Sequence, residues 1–127
     1  ARFQNSGSIF FFATLYLQFL GNVLHTGVQD YVVPLPLDSL NAALVMRHFQ
    51  IVPGIIHLDG GHDYETVLAD LNAWWPVLSP GGVFIGDDYY TDGQWPGVIQ
   101  AYGEVFGNLG FGESEHENGK CWIRKPA

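Results

Sequence analysis

The chain has 127 residues, of which 47% are hydrophobic, 15% aromatic and only 14% charged. That length supports one domain with its own core, and the low charge argues against a disordered chain. Five Lys and Arg stand against 13 Asp and Glu for a net charge of −8, with no Lys or Arg between Arg47 and Lys120, so the basic stripe that nucleic acid requires is missing.

Ile9 to Leu20 is the most apolar run. It is well short of the roughly 20 residues of a membrane span, and Thr14 and Gln18 interrupt it. Arg2 precedes the run as in a signal peptide, but no small-x-small cleavage site follows. No membrane partner is expected. The run predicts a helix over residues 8–24, apolar on most sides, to be buried in this domain or against another chain.

Tyr31-Val32-Val33 predicts a short strand closed by Pro34 and Pro36. Asp38 or Ser39 caps a helix to about His48, with Leu40, Ala43 and Leu44 on one face. Ile55 to Leu58 reads as an apolar strand ending at Asp59, and Gly60-Gly61 breaks it. Asp63 caps the next helix, where Tyr64, Val67, Leu68, Leu71, Trp74 or Trp75, and Leu78 recur at helical spacing. After the turn Ser79-Pro80-Gly81-Gly82, Val83-Phe84-Ile85 is a buried strand ending at Asp87-Asp88. Pro96 opens a helix carrying Val98, Ile99, Tyr102, Val105 and Phe106. Strands near 111–117 and 120–125 flank Asn118-Gly119, a strong hairpin signal. The order βαβαβα plus a hairpin predicts a single α/β domain over 1–127 with a mainly parallel sheet.

In open α/β sheets, ligands gather beyond the carboxyl ends of the strands. Asp59 and Asp87-Asp88 stand there, among seven acids between Asp59 and Asp92. Two like charges about 4 Å apart repel by about 4 kcal/mol at an effective dielectric near 20. A divalent cation would relieve them, and oxygen ligands favour Mg²⁺, Ca²⁺ or Mn²⁺; the alternative is that the pair caps or solvates a loop. His62 follows Asp59 across the two glycines and suits a general base, or else is a solvated histidine at a helix start. His57 reads as a packed core histidine, while His25, His48 and His116 have no motif around them. The single cysteine, Cys121, excludes an internal disulfide and a multi-cysteine metal site. It fits a reducing, cytoplasmic setting.

Leu58-Asp59-Gly60-Gly61-His62-Asp63-Tyr64-Glu65, then Ser79-Pro80-Gly81-Gly82-Val83-Phe84-Ile85-Gly86-Asp87-Asp88, resembles the C-terminal half of class I S-adenosylmethionine (SAM)-dependent methyltransferases. The nearest branch is similar to the macrocin O-methyltransferase and cephalosporin hydroxylase-like group. Phe19 to Val23, Pro34 to Ser39, Trp95 to Val98 and Lys120 to Lys125 fit the same pattern, so the resemblance spans roughly residues 15–125. It implies a Rossmann-like sheet with helices on both faces, and Asp59, Asp87 and Asp88 as ligands of a divalent metal, Mg²⁺ by preference. His62 would then take the proton of a metal-held substrate hydroxyl, whose oxygen attacks the SAM methyl group. Asp38 and Ser39 match a loop near the cofactor adenine, and Asp59 borders the cofactor as well. The acceptor implied is a small molecule, a sugar or another polyhydroxylated compound.

The family's first strand, its glycine loop and its second strand are not in this sequence; Gly107-x-x-Gly110-x-Gly112 follows a helix and opens none. The family strand order 3-2-1-4-5-7-6 then leaves the strands at Tyr31 and Ile55 without neighbours. Open edges invite pairing. The expectation is that the third strand packs beside the fourth or pairs across a homodimer, with the Ile9–Leu20 helix covering the gap. Two rival readings remain. One is a non-catalytic, dimerising remnant of a methyltransferase. The other is an Fe(II) and 2-oxoglutarate oxygenase using His57, Asp59 and His116 with Arg124, which demands a double-stranded β-helix.

Overall fold

Eight elements form in the computed structural model, which describes residues 6–110 and 115–127. They are α1 (Ser6–His25), α2 (Ser39–His48), β1 (Ile55–Leu58), α3 (Tyr64–Trp74), β2 (Val83–Gly86), α4 (Pro96–Asn108), β3 (Glu115–Glu117) and β4 (Lys120–Arg124). The chain divides into two compact units, Ala1–Pro36 and Leu37–Ala127.

In the first unit α1 ends in a Schellman motif. Gly27 sits at φ 71, its N–H donates to Leu24 O at 3.2 Å, and Val28 N–H reaches back to Val23 O at 3.2 Å. Leu15, Leu17, Phe19 and Leu24 are exposed on this helix in the single chain. Among the described residues no helix is long and apolar enough to cross a membrane. The strand expected at Tyr31-Val32-Val33 does not form. Tyr31 N–H and Val32 N–H both fold back onto Val28 O, at 2.9 and 3.1 Å. A β-branched run makes a strand only where another strand supplies its hydrogen bonds, and Tyr31 and Val33 have none.

The second unit carries the sheet. Asp38 caps α2 by accepting from Asn41 N–H, and Asp63 caps α3 by accepting from Thr66 N–H, each at 3.0 Å. Helix α3 stops at Trp74, short of Leu78, because Pro76 lacks the N–H a further turn would need. Turns carry the buried Val77 and Leu78 instead. Pro96 opens α4, where a missing N–H costs nothing.

The strand order is β1-β2-β4-β3, the 4-5-7-6 half of the order that the resemblance implies. The sheet is mixed, not mainly parallel. Only β1 and β2 run parallel, with Ile56 opposite Phe84; β4 is antiparallel to β2, and β3 to β4. The expected hairpin forms, but the expected strand at Tyr31–Val33 does not, so one parallel pair stands against two antiparallel ones. Helices α3 and α4 share one face of the sheet. Val67 and Leu71 from α3, and Ala101, Tyr102 and Phe106 from α4, close over Ile56, Phe84, Cys121 and Ile123. The expected covering of both faces is not what these two helices provide. Each fully buried aromatic such as Phe84 or Phe106 contributes about 1.5–3 kcal/mol.

Candidate functional site

Because β1 and β2 are parallel, the loops that follow them leave the sheet at the same end. Asp87 N–H donates to Leu58 O at 2.9 Å and clamps the two exits together. Gly60 and Gly61 let the first loop turn tightly over α3; a Cβ at Gly61 would fall 2.7 Å from the Thr66 side chain. That turn delivers His62 to the second loop, where its Nε2 lies 2.7 Å from Asp88 Oδ2. Asp88 adopts φ 58, a left-handed backbone that few residues other than glycine accept. The backbone N–H of Asp88 donates to Asp87 Oδ1 at 2.9 Å, so the Asp-Asp pair is a shaped corner in which the two carboxylates have different partners.

Two further residues complete the site, and sequence reasoning assigned neither a role there. The Trp95 ring stacks on His62, with centroids 4.3 Å apart and planes 15° from parallel. Gly97 permits this approach, since a Cβ there would stand 2.6 Å from Tyr64 N and 2.8 Å from His62 O. Lys120 is the other. As the first residue of β4 it lies one step beyond the Gly86–Cys121 pair, over the loop that leaves β2. Its Nζ donates to Asp87 Oδ2 and stands 3.4 Å from His57 Nε2. This hydrogen bond, helped by Asp88 N–H and by the charges of Lys120 and His57, holds the Asp87 carboxyl below the usual carboxylate range. Reciprocally, Asp87 and then the charges of Asp59 and Asp88 raise the Lys120 ammonium above the ordinary lysine value.

His57 is therefore not a core histidine. Ile56 and Leu58 face the helices, so strand alternation turns His57 to the opposite face, where it is exposed and 3.7 Å from Asp87 Oδ2. Asp59 is exposed and borders a cleft of about 330 Å³ with Ser39, Ile55, His57 and Trp74 along the free edge of β1. Asp38 and Ser39 border a second cleft, of about 490 Å³, together with Gly60, Gly61, Thr66 and Asp70. Both side chains at that loop have structural duties. Asp38 accepts from Asn41 N–H and Nδ2, which lowers its carboxyl pKa, and Ser39 Oγ accepts from Trp74 Nε1 at 2.8 Å.

The expected metal set does not assemble. Asp87 is engaged by Lys120 and Asp88 by His62, and Asp59 lies open on its cleft. Among the described residues, no three His, Cys, Asp or Glu side chains gather in a geometry able to hold a metal ion. The oxygenase alternative fails on fold, because the described chain is a four-stranded sheet under two helices, with His116 beside Tyr89.

Known proteins agree with this architecture. A methyltransferase-domain family matches residues 5–89, more than half of the chain. An uncharacterised protein of Acanthamoeba polyphaga mimivirus is 32% identical over 60 residues, which cover 46% of this chain and 27% of the viral protein. The apo structure of TDP-rhamnose 3'-O-methyltransferase, an enzyme in calicheamicin biosynthesis, superposes with a TM-score of 0.55 at 23% identity. That likeness covers 68% of this chain and 38% of the enzyme, and it speaks to the fold. The chain thus spans about a quarter to two fifths of these relatives. The parallel pair with its clamped acidic corner lies wholly inside the matched segment, and the chain belongs to the methyltransferase-domain family.

Proposed function

We propose that this chain is the part of a SAM-dependent O-methyltransferase that activates the acceptor, a hydroxyl of a sugar or another polyhydroxylated small molecule. The observation that carries this reading is the His62–Asp88 contact of 2.7 Å at the shared exit of β1 and β2. With Nε2–H donated to Asp88, the Nδ1 lone pair of His62 is free to accept a proton from an acceptor hydroxyl. Asp88 fixes that tautomer and stabilises the imidazolium that forms, while Trp95 holds the ring plane. SAM, when bound, supplies an electrophilic methyl group for the oxygen so exposed. The 490 Å³ cleft is of small-molecule size and is walled by the backbone of Gly60 and Gly61. Asp38 and Ser39 at its rim are assigned to the adenine end of the cofactor, and Asp59 to the cofactor side of the β1 exit. The O-methyltransferase named among the structural neighbours supports the same chemistry.

Calorimetry of the chain with SAM, followed by methyl transfer to TDP-rhamnose as the acceptor probe, tests the reading. His62→Gln should lower transfer by about 10²–10⁴-fold with SAM binding unchanged. Asp88→Asn should cost less and displace the pH–rate profile. A His62→Gln protein with undiminished turnover would remove His62 from the mechanism. Failure of the chain to bind SAM would favour a non-catalytic remnant.

A further inference from the structure

Asp87 and Asp88 stand side by side at the exit of β2, and the cation that meets Asp87 comes from the chain itself. Between Arg47 and the final strand the sequence holds no Lys or Arg, and the first to appear is Lys120. The antiparallel register of β2 and β4 places it directly over Asp87, a contact across 33 positions of sequence. We infer that the Lys120 ammonium is the resident cation of this site, standing on Asp87 where a divalent metal would have to bind and closing the Asp87–Asp88 corner to metal.

The geometry supports the exchange of one cation for another. An ammonium has three donors and no acceptor. One N–H is given to Asp87 Oδ2, and the ammonium stands 3.4 Å from His57 Nε2. A metal entering here would have to displace Lys120 from Asp87 and His62 from Asp88, and would then sit beside an ammonium of like sign. A flexible point charge on a four-carbon stem fits the role better than an arginine fork, because it can follow the corner that Asp87 and Asp88 make. The inference rests on the strand-end geometry alone and holds whether or not the chain transfers methyl groups.

The test reads metal binding with neither SAM nor acceptor present. Mn²⁺ is titrated into the 127-residue chain, and free ion is followed by electron paramagnetic resonance. The wild-type chain should leave the free Mn²⁺ signal unchanged. Lys120→Met should bind one ion per chain, at least about tenfold more tightly than wild type, once the competing charge is gone. Lys120→Arg should stay closed, and adding Asp87→Asn to Lys120→Met should abolish the gain. Micromolar binding of Mn²⁺ by the wild-type chain overturns the inference, even if Lys120→Met does not fold. Equal affinities of wild type and folded Lys120→Met overturn it too.

Discussion

Tyr102 carries the one buried side-chain polar atom among the described residues that has no hydrogen-bond partner. Its ring is central to the core, edge-on to Tyr89 and tilted against Phe106, and its hydroxyl lies against Gly86 beneath the acidic corner. Burial, with the nearby Cys121 and Asp70 adding to it, raises its pKa and keeps the phenol neutral. A buried hydroxyl without a protein hydrogen-bond partner is a net cost. Tyr102→Phe should therefore raise stability by about 1 kcal/mol, read as a higher urea midpoint at unchanged slope. At this scale the sequence is uneven. His62, Asp59 and the Asp-Asp pair stand out because they follow apolar strands and glycine breaks. The partnerships do not. His62 meets Asp88 across 26 positions and Lys120 meets Asp87 across 33, and no local period encodes such distances. His57 is misplaced for a related reason: a four-residue strand of apolar letters does not say which of its faces the helices cover.

Helix α4 shows how an element positions chemistry that it does not itself contain. Its first turn rests on the backbone of His62 and Tyr64 through Gly97, which seats the preceding Trp95 on the imidazole. The atoms that a Cβ would strike there are main-chain atoms and cannot rotate away. Gly97→Ala should destabilise the chain by about 1–3 kcal/mol. It should also lift Trp95 from His62, which loss of the ring-current shift on the His62 protons would report. Helices α2, α3 and α4 were legible because caps and proline mark their starts: Asp38, Asp63 and Pro96. The Asn118-Gly119 turn was equally plain, and both residues take the positive φ that a two-residue hairpin requires. What failed was the strand at Tyr31–Val33, whose letters are right and whose partner is missing. The stretch 111–114 of the expected first hairpin strand lies outside the described residues.

For the whole molecule, charge sets the range of pH over which the fold is secure. Asp38, Asp63 and Asp87 all have lowered pKa values, the first two through hydrogen bonds at helix starts and the third through Lys120. A carboxyl lowered by folding stabilises above its unfolded value, here 3.8, and that contribution is lost as pH falls through the folded value. Lys120 is raised, so its contribution is complete below the ordinary 10.5 and is lost as pH climbs through the folded value. Buried Cys121, raised from 9.0 to about 12, and Tyr102, raised from 10.0, lose stability in the same direction as pH climbs past their unfolded values. Urea midpoints should fall below about pH 4 and above about pH 9. Lys120→Met should soften the acid limb and leave most of the alkaline one in place. The family and the β1-β2-β4-β3 part of the sheet order could be read from the sequence, whereas the mixed direction follows from the strand at Tyr31–Val33 that does not form.

The hairpin is held to the acidic corner by two ties, Tyr89 N–H to Gly119 O at 2.9 Å and Lys120 to Asp87. Beyond fastening a sheet edge, these make the loop after β2 and the tip of the hairpin one breathing unit. When the hairpin frays, the corner loses a backbone clamp and its positive charge in the same event. The clamp over Asp87 and Asp88 then lasts only as long as a two-residue turn about thirty positions away stays closed.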